Sequence, residues 1–494
     1  MPNAALFSAV PSPESAGIPS EAVLRFLNRI ERQQINMHGF LLLRGGRIAA
    51  EGYWAPFAPE RKHRMYSVSK SFVALAVGLM IGEGKLRLSD RAVDFLKDKV
   101  PDPENIHPYL AQTTIRDLLM MAGPHNAVSY TSADPDWAAT FFARTPSHPP
   151  GTLFFYDTAA TVILGTIVER LAGMPFLDYM RPRLLDPIGF SPDAWCVRTP
   201  EGTSWGGSGV ICTLRDMAKV AYVCMNGGRW NGRQLIPEAY VREAVSKQID
   251  NSVLGESGYG YQIWIEKEGG FSFRGMGSQF ALCYPEKDFL FACIADTQGA
   301  GPTGTGVLDA FREELLDSVQ DGPLPEDAQT QRRLNETIAG LRVLPQRGAL
   351  SSALAERVNG VWYELNENPM GIARMRLTFR GDEGAWEYTN ATGRHRLRFG
   401  IGKVVEERFP ETHYFGEQIG TPAGRGYGCL VSAAWVEEHK LNLLVYIADD
   451  YFGTMKASFS FKGDDVAVFM TKTAEWFLNE YQGFAAGTAT GQGG

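Results

Sequence analysis

The sequence predicts an α+β domain over residues 1–320. A linker at 321–350, around one helical segment at 327–341, joins it to an all-β barrel at 351–482, and a disordered tail follows at 483–494. Three observations lead to this. Before residue 250, apolar residues recur at helical spacing in several blocks, with one glycine-turned hairpin ahead of them. From Gly258 the period becomes that of strands, closed by one more helix. Beyond residue 350, about eight short alternating runs follow one another, the pattern of a small closed barrel.

Taken in order, residues 18–33 carry Ala22, Val23, Phe26, Leu27 and Ile30 on one helical face. Two apolar runs around Arg44-Gly45-Gly46-Arg47 form the hairpin. An apolar helix starts at Ser67, and another runs over 113–121 behind a threonine cap. Residues 126–150 are polar, proline-rich and without period, which predicts a long surface loop. Helices are expected at 159–171, 176–185, 214–225 and 237–245, then strands at 259–266, 271–274, 279–284 and 289–295 and a helix at 307–319. The hairpin and the later strands are expected to share one sheet. The barrel runs are 360–365, 374–379, 385–388, 394–399, 404–409, 428–436, 440–448 and 455–461.

Composition bounds the function. The 494 residues are 44% hydrophobic and 21% charged with a net charge of −8, so a basic surface for nucleic acid or anionic membrane is not expected. Six cysteines lie scattered without a Cys-x-x-Cys pair, as buried free thiols of a reducing compartment do. No signal-peptide pattern opens the chain and no stretch reaches membrane-spanning length, so a cytoplasmic protein is predicted. The eight histidines have no metal-ligand spacing, and Gly275-x-Gly277 lacks the strand-to-helix context of a nucleotide loop. No metal and no cofactor are predicted.

The chemistry centres on Tyr66-Ser67-Val68-Ser69-Lys70 and the apolar helix behind it. At a helix start, Ser67 and Lys70 share one face. A lysine with a desolvated stem can take the proton of a serine hydroxyl, and the free N–H groups of the helix N-terminus favour an oxyanion there. This Ser-x-x-Lys arrangement is that of acyl-transfer enzymes, but taken alone it is also the start of an ordinary buried helix. Two further segments accompany it, Tyr156-Asp157-Thr158 before a helix and Gly275-Met276-Gly277-Ser278 before a strand. Asp157 reads as a helix cap, and Tyr156 alone could be a structural tyrosine. The glycines of the third segment also suit a plain hairpin turn. Trp205, beside the cluster Gly206-Gly207-Ser208-Gly209, is a candidate pocket wall, with core packing the competing reading.

With these segments and Thr114-Ile115-Arg116-Asp117-Leu118-Leu119, Pro150-Gly151-Thr152 and Thr213-Leu214-Arg215-Asp216 in order, residues 11–319 resemble the serine β-lactamase and penicillin-binding-protein superfamily. The closest branch is the class C-like one of esterases, D-amino-acid peptidases and amide hydrolases. The resemblance implies a β-lactamase-like fold: an antiparallel sheet flanked by helices, with a helical subdomain. It implies Ser67 as nucleophile, Lys70 as proton acceptor, Tyr156 as general base and then acid, and the amides of Ser67 and Ser278 as the oxyanion hole. Thr158, Gly275, Met276, Gly277 and Trp205 would contact substrate. Two departures stand out. Thr158 replaces the usual asparagine, and Gly275 replaces the lysine or histidine that binds a substrate carboxylate. Arg274 is adjacent, but strand alternation points it to the other face.

The expected activity is cleavage of a small ester, an amide or a short peptide through an acyl-Ser67 intermediate. A D-amino-acid-directed peptidase or an acyltransferase is the alternative on the same fold. A catalytically silent sensor or binding protein is the alternative from another class. The barrel resembles the lipocalin-like appendage that in some members gates access or aids formation of a homo-oligomer.

Overall fold

A computed structural model describes residues 5–298, 305–411, 426–449, 452–474 and 480–490. The chain divides into two compact units, Met1–Ala295 with Thr305–Leu341, and Asp296–Gly304 with Arg342–Gly494.

In the first unit, helix α1 (Ser20–Arg32) precedes the hairpin of β1 (Met37–Arg44) and β2 (Arg47–Tyr53). Gly45 and Gly46, at φ 57° and 69°, make the left-handed two-residue turn that suits the twist of a hairpin. Helices α2 (Val68–Gly82), α3 (Ile115–Leu119), α4 (Thr158–Ala172) and α5 (Leu214–Met225) follow. Strands β3 (Trp264–Ile265), β4 (Phe271–Gly275), β5 (Gln279–Tyr284) and β6 (Phe289–Ala295) come next. The sheet runs β2-β1-β6-β5-β4-β3, so the hairpin and the later strands do share it, with Leu42 opposite Phe291 where β1 meets β6. All seven residues of β6 are buried, because α1 covers one face through Phe26 (5.6 Å from the Phe291 ring) and α5 packs on the other.

Helix α2 is buried from Val68 to Met80, apolar on every side, and lies beside α4. Among the described residues no single helix is long and apolar enough to cross a membrane.

The structure corrects three expectations in and around this unit and refines a fourth. The predicted loop at 126–150 contains a helix, Trp137–Ala143, capped by Asp136 through the Ala139 N–H (2.9 Å) and anchored by buried Trp137. The predicted strand at 259–266 is a strand only at Trp264–Ile265, with Tyr259 making isolated bridges to Ile249 and Trp264. The 307–319 helix is present as one unbroken run whose winding changes along it, α over Thr305–Ala310, π over Phe311–Leu315 and 3₁₀ over Leu316–Ser318. The predicted linker begins inside the first unit: α6 (Ala328–Gly340), capped by Asp327, buries Thr330 and Leu334 and packs on α1.

The second unit is a barrel of β7 (Trp362–Leu365), β8 (Arg374–Arg380), β9 (Glu383–Asn390), β10 (Gly393–Ile401), β11 (Val405–Arg408), β12 (Gly428–Glu437), β13 (Lys440–Ala448), β14 (Phe452–Lys462), β15 (Asp465–Thr473) and β16 (Glu480–Thr490). The order is β10-β9-β8-β7-β16-β15-β14-β13-β12-β11, and a parallel pairing of β10 with β12 closes a nine-stranded ring. The predicted tail is corrected here as well. Residues 483–490 belong to β16, where smallness is required: a Cβ on Gly487 would lie 2.2 Å from the Glu364 carbonyl. The last four residues lie outside the described ones.

Candidate active site

The chain enters the site along a two-residue strand, His63–Arg64, paired with Val210–Cys212. The Met65 N–H donates to the Val210 carbonyl (2.8 Å), and the Val210 N–H donates to Ser69 Oγ (2.9 Å). Buried Arg64 donates to the Ser208 carbonyl (3.0 Å) and holds its guanidinium 4.8 Å from the rings of both Tyr66 and Trp205. Tyr66 takes φ 47°, a left-handed conformation costing about 1–3 kcal/mol for a bulky residue, and so turns the chain sharply into α2. Ser67 stands at the N-cap of that helix without capping it with its side chain, which leaves its hydroxyl for Lys70.

Lys70 Nζ lies 3.0 Å from Ser67 Oγ and donates to the Gly207 carbonyl at 2.7 Å. That carbonyl is brought close by glycine. A Cβ on Gly206 would be 2.3 Å from Val73 Cγ2, and one on Gly207 would be 2.4 Å from Thr158 Cγ2. The glycine cluster therefore lets backbone approach α2 and α4 directly. Trp205 is buried between the edge-on Trp137 ring (5.4 Å) and Arg64, its Nε1 close to Gly207, and so adopts the core-packing alternative beside the site.

Desolvation pushes the Tyr156 hydroxyl up to about 12, against the lowering effects of the nearby Ser67 hydroxyl and of the Arg274 charge. It is thus a neutral phenol near pH 7, with Lys70 Nζ 5.0 Å from its ring centroid. Asp157 is the cap of α4, accepting the Ala159 N–H at 2.8 Å. Burial raises its carboxyl to about 7, against the lowering effects of the Ala159 N–H and Lys70. Thr158, half-buried, turns its methyl toward Gly207.

The third segment is the turn from β4 to β5, with Gly275 opposite Gln279 and with Gly277 and Ser278 at φ 76° and 70°. Met276 is half-buried, and its carbonyl accepts from Gln279 Nε2 (2.9 Å). A Cβ at Gly275 would lie 2.3 Å from the Met65 carbonyl. Strand β4 touches the backbone leading to Ser67, so a side chain at 275 would have to push that backbone aside. Arg274 faces away as alternation requires, donating to Glu256 (3.0 Å) and Glu266 (2.6 Å). Its guanidinium nevertheless reaches to 5.3 Å from the Trp264 ring, which stacks on Tyr156 at 5.3 Å.

Two participants carry no signal in the sequence pattern. Gln262, buried and left-handed at φ 57°, fastens three helices together. Its carbonyl accepts from Ser71 Oγ on α2 (2.8 Å), its Nε2 donates to Leu118 on α3 (2.8 Å), and its Oε1 accepts from Thr161 on α4 (2.7 Å). Trp264 is the other, a strand residue by pattern whose neighbours Phe154, Tyr156 and Tyr259 converge only in three dimensions.

A family model described as Beta-lactamase matches residues 27–314. The chain belongs to the β-lactamase family. It is 28% identical over 280 residues to the 6-aminohexanoate-dimer hydrolase of Paenarthrobacter ureafaciens, covering 52% of this chain and 71% of that protein. Family and relative together make the protein a serine hydrolase. Among solved structures, a penicillin-binding protein homologue from Caulobacter crescentus superposes with a TM-score of 0.51 at 15% identity, over 63% of this chain and 100% of that one. The protein named SurE does so with 0.50 at 16%, over 86% and 95%. At these identities the structures speak to the fold alone.

Proposed function

We propose that the protein hydrolyses an uncharged ester or amide through an acyl-Ser67 intermediate. The observation that carries this is the contact of Ser67 Oγ with Lys70 Nζ at 3.0 Å, with the Tyr156 ring centroid 5.0 Å from the same Nζ. With the resting proton on the phenol, the acceptor for Ser67 is Lys70 in its neutral form. Ser67 Oγ bonds to the substrate carbonyl carbon as its proton passes to Nζ, and the Ser67 and Ser278 amides receive the oxyanion. Tyr156 gives its proton to the departing oxygen or nitrogen and regains one from Lys70. Water then repeats the sequence on the acyl-enzyme, releasing the acid and restoring Ser67. Gly275 supports the uncharged substrate, because a cation for a carboxylate at that position would have to push the Met65 backbone aside. The name of the Paenarthrobacter relative, a 6-aminohexanoate-dimer hydrolase, supports an amide as the bond cleaved; the uncharged class rests on Gly275 alone, because that dimer bears a carboxylate and an ammonium.

The test is turnover of p-nitrophenyl acetate and of short N-acyl amides by the parent and by Lys70→Ala and Tyr156→Phe. Each variant should lose about 100-fold or more in kcat/KM while keeping its folded far-UV spectrum. Variants as active as the parent would sink the assignment.

A further inference from the structure

Tyr156 is one member of an aromatic cluster. Trp264 stacks on it (5.3 Å, 29° between planes), Tyr259 stands edge-on to it at 6.3 Å, and Phe154 approaches Tyr259 at 5.2 Å and Trp264 at 6.2 Å. Tyr259 is buried, but Phe154 and Trp264 are only half-buried, and Leu153 beside Phe154 is 58% exposed. A second apolar element lies on the loop that ends at Tyr259, bridged there to Ile249. The loop from Ile249 to Tyr259 carries Val253 and Leu254, 90% and 59% exposed, the largest exposures among the described large apolar residues apart from Leu350 and Phe484 of the barrel unit. Glu256, two residues further on, receives Arg274 Nη1 at 3.0 Å, and that guanidinium lies over Trp264. The exposed pair is thus tethered to the aromatic cluster, and the charge between them is neutralised by Glu256 and Glu266. Exposed apolar surface joined to a reacting group suits a ligand better than water.

We infer that Trp264 and Phe154, continued by Val253 and Leu254, form the subsite for the leaving group, and that this group is an uncharged alkyl or aryl alcohol or amine. The assignment rests on the acyl-Ser67 reading. In that reading the leaving atom takes its proton from Tyr156, so the chain attached to that atom departs past the rings around Tyr156, whereas the acyl side meets Thr158 and Gly207. Trp264 is then a specificity residue that binds the leaving group and takes no part in proton transfer.

The experiment holds the acyl group constant and varies the alcohol. For the parent, kcat/KM should be about tenfold or more higher for hexyl than for methyl acetate, as burial of several methylenes predicts. Trp264→Ala should reduce this ratio to about threefold or less. Because that variant removes a ring packed on Tyr156, a second one, Val253→Glu with Leu254→Glu, alters only exposed side chains. It should lower the hexyl rate and spare the methyl rate. A parent ratio near one, a preference that follows acyl length instead, or ratios unchanged in both variants would overturn the subsite. Labelling of Ser67 by a fluorophosphonate, run on every sample, separates the two levels. Labelling with flat alcohol preference refutes this inference alone, and no labelling refutes the acyl-enzyme beneath it.

Discussion

Replacing Asp157 by Asn tests the electrostatics of the site without removing the helix cap, because the asparagine side-chain oxygen still accepts the Ala159 N–H. Burial holds the Asp157 carboxyl at about 7 against an ordinary 3.8. A rise of roughly three units corresponds to about 4 kcal/mol, at ~1.36 kcal/mol per unit. The folded-state value lies above the unfolded one, so this contribution is fully present below the ordinary value and is lost as pH rises through about 7. The parent should therefore weaken between about pH 4 and pH 8 by up to about 4 kcal/mol relative to Asp157→Asn. Urea unfolding of parent and variant at both pH values measures it. The two should match near pH 4, and the variant should be the more stable near pH 8. A difference independent of pH, or a parent that gains on the variant with rising pH, would refute the reasoning. It would mean that Asp157 is an ion paired to Lys70 rather than a desolvated acid.

Two further substitutions probe the glycines. Gly207→Ala places a methyl 2.4 Å from Thr158 Cγ2 and must displace the carbonyl that holds Lys70, so kcat should fall by about tenfold to a hundredfold. Adding Thr158→Ser, which removes the opposing methyl, should recover most of the loss; steady-state kinetics of the single and double variants decide. Gly275→Ala meets the Met65 carbonyl and should cost about 1–3 kcal/mol in unfolding free energy, and a variant as stable as the parent would contradict the crowding.

Much of this architecture is legible in the sequence because it is local. The apolar run after Ser67, the Thr114–Asp117 capping box and the Gly45-Gly46 turn each state their element within a few residues. The Ser67, Lys70 and Tyr156 trio is legible through the order of its motifs, and the structure brings the three together. What escapes the pattern is set by distant partners. β16 ends in a run rich in Gly, Ala and Thr that propensity alone leaves unstructured, and its ladders with β7 and β15 order it. The helix of α6 is legible but its place in the first unit is not, because only Thr330 and Leu334 are buried, a face that has meaning only against α1. Gln262 reads as one polar residue in a strand-like run, yet it is hydrogen-bonded to three helices that lie far apart in sequence.

The central claim is that Ser67 is an activated nucleophile. Its most direct test is intact-protein mass spectrometry after incubation with a fluorophosphonate, with the parent and Ser67→Ala run side by side and the adduct mapped to a peptide. The account predicts one adduct on the parent, located on Ser67 and absent from the variant. An unlabelled parent, or an equal adduct on Ser67→Ala, would contradict it.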